Sequence, residues 1–140
     1  MGKDLSGQDL SGQDLSKQDL SGANLTRANL TGANLTGANL SDANLRGAVL
    51  RLANLTNAYL FGADLTFADL SGADLTNARF GAAKLDGANL RGATLDGVDD
   101  LKLTSETLTD GDWTRDNLSG RSTNLFDAYR GGDTPPNDTR

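Results

Sequence analysis

The stretch Ala23-Asn24-Leu25-Thr26-Arg27-Ala28-Asn29-Leu30-Thr31-Gly32-Ala33-Asn34-Leu35-Thr36-Gly37 repeats a unit of five: a small residue, an amide, a leucine, a hydroxyl residue, and most often glycine. The register extends in both directions. Leucine recurs at every fifth position from Leu5 to Leu95, with Phe80 the one exception, and alanine recurs two places earlier from Ala23 to Ala93. Neither regular element can bury a period of five. On an α-helix five residues advance about 500°, which scatters the leucines around the axis. On a flat strand side chains alternate, so every second leucine would face the wrong side.

The chain must therefore bend once per unit. A short extended segment then points its leucine inward, with the alanine two residues earlier on the same side and the residue between them outward. The hydroxyl residue and glycine fall at the bend, where φ-permissive residues are favoured. A bend of about 90° closes a square every four units, and stacked squares pair their backbones at about 4.8 Å. Each side buries a leucine or phenylalanine for roughly 1.5–3 kcal/mol. No single coil shields its own leucines, so stability arises from stacking.

The Ala-Asn-Leu-Thr-Gly units at 33–37 and 38–42 (the latter with Ser41 and Asp42), the unit at 23–27 and their variants over about 3–97 resemble the pentapeptide-repeat family. The resemblance implies an all-β fold, a right-handed quadrilateral parallel β-helix of about five coils. The expected organisation is a β-helix over 1–97, a C-terminal cap over 98–130 and a disordered tail over 131–140 containing Pro135-Pro136. Two readings of the cap stand. Leu103, Leu108, Trp113 and Leu118, each followed by Thr or Ser, fit a degenerate sixth coil. Thr104 or Ser105 as N-cap, with Glu106 in the first turn, fits a short helix. At the other end Gln8, Gln13 and Gln18 replace alanine in the inward slots. They read as a polar cap on the tube mouth, with end-to-end stacking as the alternative.

The 140 residues argue for one domain. With 13 basic and 19 acidic residues the net charge is −6, which disfavours nucleic acid and anionic membrane as partners. The absence of cysteine and histidine excludes disulfides, Cys/His metal sites and histidine-based catalysis. No apolar run is long enough to span a bilayer and no secretory signal is visible, so the expectation is a cytoplasmic protein. A filled convex tube offers no concave site, and the sequence holds no phosphate-cradling loop, so no enzyme activity, cofactor or metal is expected.

The outward residue before each leucine is aspartate in the first coil (Asp4, Asp9, Asp14, Asp19) and asparagine in the second (Asn24, Asn29, Asn34, Asn39). Alternating charged and neutral coils avoids repulsion at one coil spacing. The third and fourth coils break this polar rule. Val49, Tyr59 and Phe61 occupy outward slots, Leu52 and Phe67 occupy bends, and Arg79 falls one coil from Tyr59, close enough to stack. Tyr59 and Phe61 are expected to share one face, with Phe67 just round the next corner. These six residues are the candidate protein-binding patch, with docking of the C-terminal tail as the competing use. The function expected is a scaffold or interaction module with a protein partner, as a monomer or as a dimer through an end of the solenoid. The alternative that the family resemblance implies is DNA mimicry: some members protect bacterial type II topoisomerases from quinolones. Against it, arginines at 46, 51, 79 and 91 interrupt any phosphate-like stripe.

Overall fold

In a computed structural model of the chain, the described residues are 2–99 and 101. Every fifth residue in this span pairs in parallel with the residue twenty places on, from Asp4 with Asn24 to Arg79 with Asp99. Twenty residues thus make one coil. Four sides follow, whose inward leucines begin at Leu5, Leu10, Leu15 and Leu20, and they are numbered 1 to 4 in that order. The paired segments are one residue long, because each side is only a few residues wide before the chain turns.

The bend is a β-turn closed by a hydrogen bond from the N–H of residue i+3 to the leucine carbonyl, as from Ala28 to Leu25 at 3.0 Å. Its third residue lies in the left-handed region at every corner from Gly7 to Gly97, with φ between 58° and 72°. That is the signature of a type II turn, and it explains the preference for glycine in the fifth slot of the unit. Eleven corners have glycine, and eight have Lys17, Arg27, Asp42, Leu52, Asn57, Phe67, Asn77 or Ala82. A residue with a Cβ pays about 1–2 kcal/mol for this conformation.

Coils are joined on every side by backbone bonds. The N–H of Leu25 donates to the carbonyl of Asn44, and the N–H of Asn44 donates to the carbonyl of Ala23. The corner N–H groups also donate to the next coil, as Gly37 does to Thr56. The core is a column of leucines and alanines. Leu25 through Leu75 and Phe80 are at most 1 % exposed. The first coil differs: Leu5 and Leu15 are only partly buried, and the side chains of Gln8, Gln13 and Gln18 are exposed at the mouth. The ladder runs past residue 97, because Asp99 pairs with Arg79 and accepts from the N–H of Phe80. Val98 and Leu101 are buried. Apart from Val98, Asp99 and Leu101, the expected cap over 98–130 and the tail over 131–140 lie outside the described residues.

Candidate protein-binding faces

The outward slot before each leucine does more than meet water. Its side-chain oxygen reaches forward two residues and accepts from the turn. Asp4 Oδ1 accepts from the N–H of Ser6 at 3.2 Å and from its Oγ at 2.8 Å. Asn34 Oδ1 does the same for Thr36, at 3.1 Å and 2.6 Å. This clasp satisfies a turn N–H that no backbone carbonyl reaches, which is why an Asx residue and a hydroxyl residue flank the leucine. The periodicity shows both residue types but not this link between them.

The aspartates of the first coil are held below the ordinary carboxylate pKa, first by the seryl hydroxyl and then by the seryl N–H. Asp64 is also lowered: burial pushes it up, but hydrogen bonds from Thr66 and the Arg46 guanidinium outweigh that. The first and second coils are further linked by the amides of Asn29 and Asn34, which donate to Asp9 and Asp14. Alternating Asp with Asn therefore converts a repulsion into a weak hydrogen-bonded column.

Of the sixteen outward slots in the first four coils, three make no clasp: Val49, Tyr59 and Arg79. All three are among the candidate patch residues. Each forgoes a local hydrogen bond of about 0.5–1.5 kcal/mol, so the departure from the repeat has a cost as well as a chemistry.

The structure brings three of the six candidates together and places the other three elsewhere. On side 4 the rings of Tyr59 and Phe61 stack with centroids 6.2 Å apart and planes at 29°. The Arg79 guanidinium lies 5.8 Å from the Tyr59 ring centroid. Both rings are 41 % exposed. Val49 pairs with Asn29 and Asp69 on side 2, two corners from Tyr59 and so on the opposite side of the tube. Phe67 and Leu52 sit at the two corners that border side 2. Phe67 sits at the next corner along the chain from Phe61, with side 1 between them. Twenty-residue coils put residues ten apart, such as Val49 and Tyr59, on opposite faces.

Leu52 and Phe67 are the most exposed large apolar residues described, at 66 % and 69 %, and both lie at positive φ. Their side chains run along the corners onto the next coil. A Cβ on Gly72 would fall 2.8 Å from Leu52 Cδ2, and one on Gly87 would overlap the Phe67 ring. Of the other arginines noted in the sequence, Arg46 pairs with Asp64 on side 1 at 3.3 Å, and Arg51 and Arg91 project from side 2. Among the described residues no group of three acidic, histidine or cysteine side chains could hold a metal ion. No described helix is long and apolar enough to cross a membrane.

With twenty-residue coils, left-handed corners and an Asx-clasped turn established, the family model for pentapeptide repeats matches in eight copies over residues 4–37, 38–77 and 73–99. The chain belongs to the pentapeptide-repeat family. Its fold is the family's right-handed quadrilateral β-helix. Among solved structures it is similar to the pentapeptide repeat protein Rfr23 from the cyanobacterium Cyanothece 51142, at 31 % identity and TM-score 0.68, covering 87 % of this chain and 89 % of that one. It is also similar to alr5209, a pentapeptide repeat protein from Nostoc Pcc 7120, at 28 % identity and TM-score 0.55, covering 86 % and 84 %. The fluoroquinolone resistance protein QnrB1 matches at 19 % identity and TM-score 0.45, covering 78 % and 79 %, which carries no argument about activity. No curated protein matches the chain.

Proposed function

We propose that this pentapeptide-repeat protein is a non-enzymatic interaction module that binds a protein partner through the Tyr59–Phe61–Arg79 cluster of side 4. The observation that carries the reading is the coincidence of cost and chemistry. Tyr59 and Arg79 stand in slots where the repeat would otherwise clasp its turn, and there they form an exposed aromatic stack with a cation beside it. Aromatic residues and arginine are the side chains that dominate protein interfaces. Catalysis is not part of this reading, since among the described residues the tube interior is filled by leucine and alanine.

The test exchanges the cluster for repeat consensus, which keeps the fold. A Tyr59→Asn/Phe61→Thr double variant and the wild-type chain serve as baits in native lysate. The reading expects at least one protein retained by wild type and lost by the variant, and identical retained sets would rule out side 4. DNA mimicry is disfavoured because Arg46, Arg51, Arg79 and Arg91 interrupt the acidic surface. Protection or inhibition of gyrase supercoiling at micromolar protein would restore it.

A further inference from the structure

Side 2 carries a second departure from the repeat, independent of the aromatic cluster on side 4. Its centre has Val49 where the neighbouring coils have Asn29 and Asp69, and Val49 gives up the turn clasp that those residues make to Thr31 and Ser71. Its two borders hold Leu52 and Phe67, the pair that combine left-handed backbone with the greatest apolar exposure. Both lie over a glycine of the following coil, so Leu52 flanks the fourth coil and Phe67 the fifth. The result is a flat side bordered by two apolar ridges.

Charge distinguishes this side from the rest of an acidic chain. Within the second to fifth coils side 2 and its borders carry Arg27, Arg51 and Arg91, besides the Arg46 that pairs with Asp64, against two carboxylates, Asp69 and Asp86. The Arg27 side chain runs along the same corner as Phe67, with its Cγ 3.3 Å from where a Cβ on Gly47 would lie. Among the described residues the guanidinium groups of Arg27 and Arg51 have no ion pair. Backbone edges on this side are already joined from coil to coil, so a ligand must be read by side chains.

We propose that side 2 docks an acidic peptide segment of a partner protein, with two apolar side chains of the segment packed against Leu52 and Phe67 and its carboxylates facing Arg51 and Arg27. Leu52 over the fourth coil and Phe67 over the fifth call for two anchors offset by one coil, roughly 4.8 Å along the tube, and set at opposite borders of the side. Opposite charge on the segment supplies orientation and encounter rate. Three arginines are too few for the run of phosphate contacts by which nucleic acids are held. This inference rests on reading the chain as an interaction module, but it uses the side opposite the cluster proposed above.

The test pans a phage-displayed library of random dodecapeptides against the full chain, then measures the enriched peptides, fluorescently labelled, by polarisation. Enriched sequences should be net acidic with two apolar residues. Leu52→Gly, Phe67→Gly and Arg51→Glu should each weaken binding about tenfold or more, as expected for anchors of an interface. Tyr59→Asn/Phe61→Thr should bind like wild type, which separates this inference from the side 4 reading. Both glycine variants should unfold at or above the wild-type temperature, because glycine relieves the corner. The proposal is overturned if no peptide is enriched, if the enriched peptides are neutral or basic, or if they ignore the side 2 substitutions. Tighter binding of labelled oligothymidylate than of peptide would overturn it too. So would a marked loss of thermal stability in the glycine variants, which would make Leu52 and Phe67 structural.

Discussion

The second coil, 23–42, and the third, 43–62, have the same interior and different exteriors. Inside, leucines and alanines of both coils are at most 1 % exposed. Outside, all four Asx residues of the second coil clasp their turns, at Thr26, Thr31, Thr36 and Ser41. In the third coil only Asn44 and Asn54 do so, while Val49 and Tyr59 stand free of the turn. Strand alternation is what permits this divergence. Inward and outward slots never exchange, so the exterior can trade hydrogen bonds for exposed apolar surface without disturbing the core.

The largest effects should fall on the interior and be equal in the two coils. Leu35→Ala and Leu55→Ala each remove a fully buried side chain from a tube that cannot collapse sideways. Each should cost about 2–5 kcal/mol in chemical denaturation. Leu5→Ala in the first coil should cost less, because Leu5 is already partly wet. A much smaller loss at Leu55 than at Leu35 would mean that the exterior of the third coil loosens its core.

Next come the corners. Gly87→Ala places a Cβ into the Phe67 ring and into a left-handed backbone. It should destabilise by roughly 1–3 kcal/mol. Adding Phe67→Gly should restore part of that loss, since it removes the ring that collides. Gly32→Ala meets nothing within 4 Å and should show the backbone penalty alone. Equal losses at the two glycines would show that the Phe67 side chain does not lie over Gly87.

The fold was legible in the sequence because one number, five, excludes both regular elements and demands a bend. The leucine and alanine slots then determine which side is inward. Two things were not legible. Periodicity shows that Asx and Ser/Thr flank each leucine but not that the first clasps the second across the turn, as Asp14 does Ser16. Nor did spacing alone show that the six candidate residues fall into two groups, although it did place Arg79 against Tyr59. Tyr59, Phe61 and Arg79 meet because they lie two or twenty apart. Val49 and Tyr59, ten apart, cannot meet across a four-sided coil.

The clasp itself predicts a smaller effect of opposite sign in the two coils. Asn34→Ala should destabilise by about 0.5–1.5 kcal/mol, by leaving the Thr36 N–H without its acceptor. Tyr59→Asn should stabilise by a similar amount, since it supplies an acceptor to the turn at Phe61. Denaturation midpoints of the two variants check this. A Tyr59→Asn chain less stable than wild type would show that the aromatic stack holds the coil together, which removes the reason to treat it as a site.

The smallest effect separates the first coil from the second, because the same clasp is ionisable in one and neutral in the other. Asp4, Asp9, Asp14 and Asp19 have pKa values lowered from 3.8 in the folded chain, through the hydroxyl and N–H groups of the following serines. A lowered folded value means the unfolded chain binds protons more readily. The clasp therefore adds stability above the unfolded value, and that contribution is lost as pH falls below about 4 through the folded values. The asparagine clasps of the second coil have no such term. Amide hydrogen exchange at Ser6, Ser11 and Ser16 should therefore lose protection between pH 4 and pH 2, after correction for intrinsic rates, by more than at Thr26, Thr31 and Thr36. Replacing the four aspartates by asparagine should abolish the difference. If the first coil instead kept its protection at pH 2, its turns would be held by the coil-to-coil backbone bonds, such as that from Gly7 to Thr26, and the clasp would be ornamental there.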